Sequence, residues 1–312
     1  MNPAEQHATT VLASHDQTPG LLRVHAVVMS LIAGISATIA VSGFLAASDY
    51  HPDNTGNASA SVDVFIGNLH AHSVEWLVAV VLVYLGVALL DPQVRVPQRT
   101  VRVMLGLYTL VLTASWCGSI LSWDDRAKQA FGIGTHVFDS YVPVAGAVIS
   151  NYLWQSNRFR EPSLMRVFLL HAVVLAPAVL LVVRAVRRNA VRSLATTVTF
   201  AAGVVVPFCS ALFLAGASPD VPTVASSVAI QAQQAVPPVH PAWYLGVPYE
   251  LLKSLPEDFV VALFGIAIII VFVYGAGTGL SVSQRIGQWS ARILYAVYVA
   301  FQIQIFIAWH VR

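Results

Sequence analysis

The residues of this sequence best suited to chemistry are its histidines, because a neutral imidazole carries a donor on one nitrogen and a metal-binding lone pair on the other. Of the ten, His7, His15 and His51 fall in polar segments and read as solvated. His25, His70, His72, His171 and His310 fall at or inside long apolar runs. An ionisable side chain is costly there, which makes each a functional candidate. His70 and His171 each sit near the start of a separate run. Two neutral imidazoles facing one another across a helix bundle suit the axial positions of a low-spin haem iron. Histidines hydrogen-bonded between helices are the other reading. His70 and His72 lie about 200° apart on a helix, so only one of them can face such a partner. Glu75, roughly 140° around the helix from His70, is either a proton relay or a structural carboxylate paired with a neighbouring helix.

The elements that must position these residues follow from composition. Of the 312 residues, 57% are hydrophobic and 10% charged, and the mean hydropathy is +0.70. That leaves too little polar surface to cover a globule, and excludes a soluble enzyme, a disordered chain and a nucleic-acid binder. A net charge of +2 comes without any basic run of the kind that neutralises phosphates. Cys117 and Cys209 make no CxxC or CxxCH spacing, so covalent haem attachment by that route is excluded. Apolar stretches of membrane-spanning length fall near 25–47, 69–90, 101–121, 165–187, 194–216, 259–277 and 291–309. The fold class is therefore all-α and polytopic, with seven transmembrane helices expected. Residues 1–24 read as a polar tail without the basic start of a secretory signal. The short connections 91–100 and 188–193 are sharply basic, which places the N-terminus on the cytoplasmic side of the cell membrane. The runs holding His70 and His171 then both descend from the outer side, and the two histidines reach similar depth. The long connections 48–68, 122–164 and 217–258 lie outside. Two parts of them, 131–154 and 241–256, are apolar enough for helices lying on the outer interface.

The segment His240-Pro241-Ala242-Trp243-Tyr244-Leu245-Gly246-Val247-Pro248-Tyr249, continuing to Pro256, resembles the Pro-Glu-Trp-Tyr segment of the cytochrome b family and the helix that follows it. Leu121-Ser122-Trp123-Asp124 is similar to the family's Leu-Pro-Trp, and Val142-Pro143-Val144-Ala145-Gly146 to its Ile-Pro-x-x-Gly. Leu69-His70-Ala71 resembles the second-helix haem motif. His171 followed by Leu175 and Pro177 resembles the fourth-helix motif His-x-x-x-Leu-Pro with one residue inserted. The similarity runs over about 25–312. It implies a four-helix haem domain over 25–190 and a three-helix domain over 191–312, which other members carry as separate subunits. It also implies a haem b held by His70 and His171, with Tyr141, Trp243, Tyr244 and Tyr249 lining a quinone pocket. For those four aromatics, an interface belt is the competing reading.

The departures from the family narrow the expected function. Its second pair of haem ligands, some 14 residues further along each helix, is replaced by Tyr84 and by the Arg184-Ala185-Val186 region. The glutamate of Pro-Glu-Trp-Tyr is Ala242, and Gly67, Asn68 and Leu69 stand where the family's arginine precedes the first ligand. What the resemblance then implies is a membrane electron-transfer subunit of a quinone-linked respiratory oxidoreductase, with one outer-side haem b. It would exchange electrons between a quinone or quinol and a peripheral subunit such as a cytochrome c, a Rieske protein or a dehydrogenase. The chain is expected in a multi-subunit complex surrounded by membrane lipid, with no nucleic-acid partner. The alternative is a degenerate, haem-free relative that anchors a larger complex.

Overall fold

The computed structural model describes residues 19–50, 64–90, 98–122, 125–141, 161–187, 193–217, 243–274 and 282–310, and among them no strand occurs. In chain order the helices are α1 (Pro19–Ser48), α2 (Val64–Leu90), α3 (Gln98–Ile120), α4 (Asp125–Tyr141), α5 (Glu161–Leu169), α6 (Ala176–Arg187), α7 (Leu194–Ala217), α8 (Gly246–Ser254), α9 (Glu257–Tyr274) and α10 (Val282–His310). Six stretches within them are long and apolar enough to cross a membrane: Val24–Ser48, Phe65–Leu90, Arg99–Ile120, Leu164–Arg187, Leu194–Phe213 and Arg285–Ala308. The seventh expected stretch, 259–277, corresponds to α9, whose 18 residues extend about 27 Å. Six of the seven expected crossings are therefore met among the described residues. Residues 1–18, 142–154 and 218–242, Ala242 included, lie outside the described part.

Helices form here because a bilayer interior leaves each backbone polar group to be satisfied within its own segment. The hydroxyls inside α1 follow the same rule. Ser30 donates to the Ala26 carbonyl at 2.9 Å, Ser36 to Ile32 at 2.8 Å and Thr38 to Gly34 at 3.2 Å. Serine and threonine can thus sit buried in the bundle without an external partner.

The core draws on four elements: Met29, Ile32 and Ile35 of α1, Leu77, Val81 and Leu85 of α2, Met104, Leu107 and Val111 of α3, and Val179 and Val183 of α6. The most extensive packing in the molecule is that of α1 against α7. It depends on two glycines at the crossing. A Cβ on Gly34 would run into the Phe200 carbonyl, and one on Gly203 would press on the backbone of Leu31 and Ile35. Large apolar residues on the far faces stay exposed, Phe213 at 77% and Leu194 at 82%, as lipid-facing positions do.

Between α5 and α6 the chain makes a π-helical stretch, Leu170–Leu175, in which the Ala176 N–H donates to the His171 carbonyl five residues back. A π turn absorbs one extra residue without breaking the helix. This is where the sequence carries an inserted residue relative to His-x-x-x-Leu-Pro. Val167 before the π turn and Val179 and Val183 after it are all buried, so the insertion is taken up locally and the buried face continues through it.

The C-terminal elements are joined to α2 and α3 by polar contacts. Tyr295 of α10 donates to the Leu82 carbonyl at 2.6 Å, Tyr108 of α3 meets Tyr298 of α10 at 3.0 Å, and the Arg102 Nε donates to the Phe272 carbonyl of α9 at 3.0 Å. If the α1–α7 crossing is as tight as its glycines require, Gly34→Ala should lower stability by about 1–3 kcal/mol through overpacking. Gly106→Ala, where a Cβ would meet nothing within 4 Å, should be neutral or slightly stabilising. Denaturant titrations of the two variants in detergent check the contrast.

Candidate functional site

His70 on α2 and His171 in the π stretch face each other, with ring centroids 6.1 Å apart and planes at 77°. Each ring is anchored through its Nδ1 to a helix backbone carbonyl. His70 Nδ1 lies 3.1 Å from the Ile39 carbonyl of α1 and 3.3 Å from the Ser42 hydroxyl. His171 Nδ1 lies 2.9 Å from the Ala114 carbonyl of α3. A carbonyl only accepts, so the proton sits on Nδ1 of each ring and the lone pair on Nε2.

The two anchors share one construction. Four residues after Ile39 stands Gly43, and four residues after Ala114 stands Gly118. Side chains on a helix lean towards its N-terminus, over the carbonyl one turn earlier. With no side chain at Gly43 or Gly118, that carbonyl is open to an imidazole from another helix. A Cβ on Gly43 would stand 2.8 Å from His70 Cε1, and one on Gly118 would stand 3.0 Å from His171 Cε1. Near the paired histidines, Tyr50 beyond α1 stacks on Phe168 at 5.0 Å, and its hydroxyl donates to the Leu121 carbonyl at 3.4 Å. Burial pushes the Tyr50 hydroxyl up to about 12.

The donor set suits one kind of metal centre. No group of three or more His, Cys, Asp or Glu able to hold an ion occurs among the described residues. Two imidazoles alone are a poor site for a bare ion, but His70 and His171 would supply the two protein ligands of a haem iron. Two imidazoles bound to one metal through bonds of about 2 Å have ring centroids roughly 6 Å apart. The observed separation fits that requirement.

One turn of α3 connects this pair to the aromatic segment. Ser115, next to the Ala114 that anchors His171, makes a short hydrogen bond with the Tyr244 hydroxyl. Tyr244 is buried, packs edge-on against Trp243 at 5.5 Å, and receives a hydrogen bond on its backbone carbonyl from Tyr298 at 3.3 Å. Burial pushes its hydroxyl up to about 12, against the lowering effect of the Ser115 hydrogen bond. Tyr244 is therefore a neutral donor and acceptor at physiological pH. Trp243 and Tyr244 begin a 3-10 turn leading into α8, where the Val247 N–H donates to Gln302 Oε1 at 3.3 Å.

The remaining expected residues are placed differently. Tyr249 carries Lys253 over its ring at 4.2 Å, and Lys253 pairs with Glu250 at 2.8 Å. Tyr141 is the last residue of α4. His72 Nδ1 meets Glu75 Oε2 at 3.1 Å, so only His70 of the two neighbouring histidines faces His171. Tyr84, at the position of the missing second ligand on α2, is buried and meets His25 Nδ1 at 2.7 Å. Ser42, Gly43, Ser115 and Gly118 belong to the site but were not singled out from the sequence. The signal was the four-residue step from each glycine back to an anchoring carbonyl, which has meaning only once the helix opposite is known.

Residues 77–197 match the protein family described as Cytochrome b(N-terminal)/b6/petB. That stretch is about two fifths of the chain, and over it the chain is similar to the cytochrome b family. The matched stretch contains His171 and Gly118, while His70 lies just before it. A solved structure described as "Hyperthermophilic respiratory Complex III" is similar to this chain at 18% identity with a TM-score of 0.53, over 93% of this chain and 92% of that one. No curated protein matches the sequence. At such identity the likeness is one of fold, and it covers the C-terminal helices as well as the stretch matched by the family.

If Ser115 and Tyr244 hold each other as described, Ser115→Ala and Tyr244→Phe should each cost about 1 kcal/mol and should not add in the double variant. A double-mutant cycle on detergent stability measures the coupling. Strict additivity would contradict the bond.

Proposed function

We propose that this chain is a membrane electron-transfer subunit that holds one haem b between His70 and His171 and takes up a quinone or quinol in the aromatic pocket around Trp243 and Tyr244. The observation that carries the reading is the pair of facing imidazoles, each with its Nδ1 proton given to a carbonyl that a glycine leaves open. A bound haem supplies a one-electron carrier. The residues of the chain hold the two ligands in the right tautomer, leave no side chain at Gly43 and Gly118, and keep the ligand rings on four packed helices. Tyr244 and Ser115 offer hydroxyls to a quinoid ring, and Trp243 offers apolar surface. Since Ala114, Ser115 and Gly118 occupy one turn of α3, a molecule at Tyr244 would lie close to His171, which favours electron exchange between them.

Only one haem is proposed. The position some 14 residues beyond His70 carries Tyr84, held by His25, and around it Leu85, Ala88, Leu89, Val101 and Met104 form closed apolar core. Arg184, in the matching region of α6, is exposed. Electron flow is therefore confined to the half of the membrane that holds His70 and His171, which the basic short connections place on the outer side, with the N-terminus cytoplasmic. By analogy with the Complex III protein it resembles, we read the chain as one subunit of a multi-subunit membrane complex. A peripheral redox subunit would supply the second electron-transfer partner. In this reading residues 25–190 form the haem-bearing part and 191–312 the three-helix part, α9 included as a seventh crossing.

Pyridine haemochrome analysis of the purified chain should give one b-type haem per polypeptide. His171→Ala and Gly118→Leu should both lose that spectrum while keeping the helical circular dichroism. Two haems per chain would contradict the single site, and none would leave the haem-free anchor as the better reading.

A further inference from the structure

The two histidine anchors share a bare carbonyl and a glycine four residues later, but they differ at the position between. The residue before Gly43 is Ser42, and the residue before Gly118 is Cys117. Both are 1% exposed. Ser42 Oγ lies 3.3 Å from His70 Nδ1. His171 Nδ1 meets the Ala114 carbonyl at 2.9 Å, and among the described residues no hydroxyl joins it there.

The Ser42 hydroxyl is not free to turn. It donates its single O–H along its own helix, to the Thr38 carbonyl at 2.7 Å, which leaves an oxygen lone pair for the imidazole. The His70 Nδ1–H is also 3.1 Å from the Ile39 carbonyl, so its proton is shared between two acceptors in a three-centre bond. The bond given to Thr38 polarises the hydroxyl oxygen and makes it a better acceptor. Two acceptors on Nδ1–H leave more electron density on Nε2, the ligating nitrogen of the haem reading. A more strongly donating ligand favours ferric over ferrous iron, and hydrogen bonds around a haem are one of the levers on its potential. Cysteine sulfur is only a weak acceptor, and among the described residues Cys117 makes no hydrogen bond to His171. One ligand is therefore reinforced and the other is not.

Resting on the haem reading above, we propose that Ser42 is a positioning residue that sets the reduction potential of the site, holding it lower than the two carbonyl anchors alone would. Ser42 acts through His70 and moves no proton or electron itself. A lower potential makes the site a readier electron donor to a peripheral acceptor and a harder one to reduce.

The test is a potentiometric titration of the b-type spectrum on the purified full chain, or on its complex if that is what purifies. At the wild-type midpoint, Ser42→Ala should raise the ratio of reduced to oxidised haem by about threefold or more. The low-spin signal in electron paramagnetic resonance should persist, showing both histidines still bound, with shifted g-values. Ser42→Thr keeps the hydroxyl and should bring the midpoint back towards wild type. Cys117→Ala removes a buried side chain of similar size from the matching position on α3 and should leave the midpoint unchanged, which separates the hydrogen bond from a packing defect. A midpoint unmoved or lowered in Ser42→Ala overturns the proposal, as does an equal rise in Cys117→Ala. If Ser42→Ala does not fold or keep its haem, Ser42→Cys, which places a weak acceptor at the same point, is judged by the same direction of shift. A chain that takes up no haem sinks the haem reading and the role of Ser42 with it, whereas a haem-bearing chain with an unmoved midpoint sinks only the role of Ser42.

Discussion

Two backbone carbonyls left bare by glycine govern the arrangement of this molecule. The helical hydrogen bond uses one lone pair of a carbonyl, and the second is normally shaded by the side chain one turn later. At Ile39 and Ala114 that later residue is Gly43 and Gly118. The imidazoles of His70 and His171 take the exposed lone pairs. Each hydrogen bond fixes a ring, its tautomer and the distance between two helices at once. The π turn at Leu170–Leu175 belongs to the same constraint, since it lets α5 and α6 keep one buried face although His171 is followed by an extra residue.

The bundle divides into two unlike halves. Around His70 and His171 stand hydroxyls, glycines and imidazole rings. Around Tyr84, side chains from α1, α2, α3 and α6 close into continuous apolar core. Tyr84 satisfies its own hydroxyl on His25, as a polar group in a membrane interior must. The α1–α7 glycine crossing draws a fifth helix against the same bundle.

Tyrosines join the C-terminal helices to this bundle. Tyr295 and Tyr298 on α10 reach α2, α3 and the Trp243–Tyr244 turn, and Tyr108 on α3 answers from the other side. Each has a ring large enough to bridge two helices and a hydroxyl that needs a partner once buried. The aromatic segment is therefore held from α3 by Ser115 and from α10 by Tyr298. That double attachment brings it within one helical turn of the His171 anchor.

Hydropathy alone located the long helices, because the cost of an unsatisfied peptide group in lipid makes any apolar run of that length helical. It also expected seven crossings; six are met among the described residues, and α9 lies on the seventh expected stretch. The sequence singled out His70 and His171 by residue type and matched depth, and Trp243 and Tyr244 by their place in a resemblance. By the same resemblance it named Tyr249, over whose ring Lys253 lies, and Tyr141, the last residue of α4. Which face of one helix meets which face of another is absent from periodicity, which specifies a stripe but not the rotation of the neighbouring helix. Gly43, Gly118 and Ser115 therefore had no meaning until α1 and α3 were placed beside the histidines: a glycine in an apolar helix has many uses, and only a donor arriving from across the bundle turns a missing side chain into an anchor.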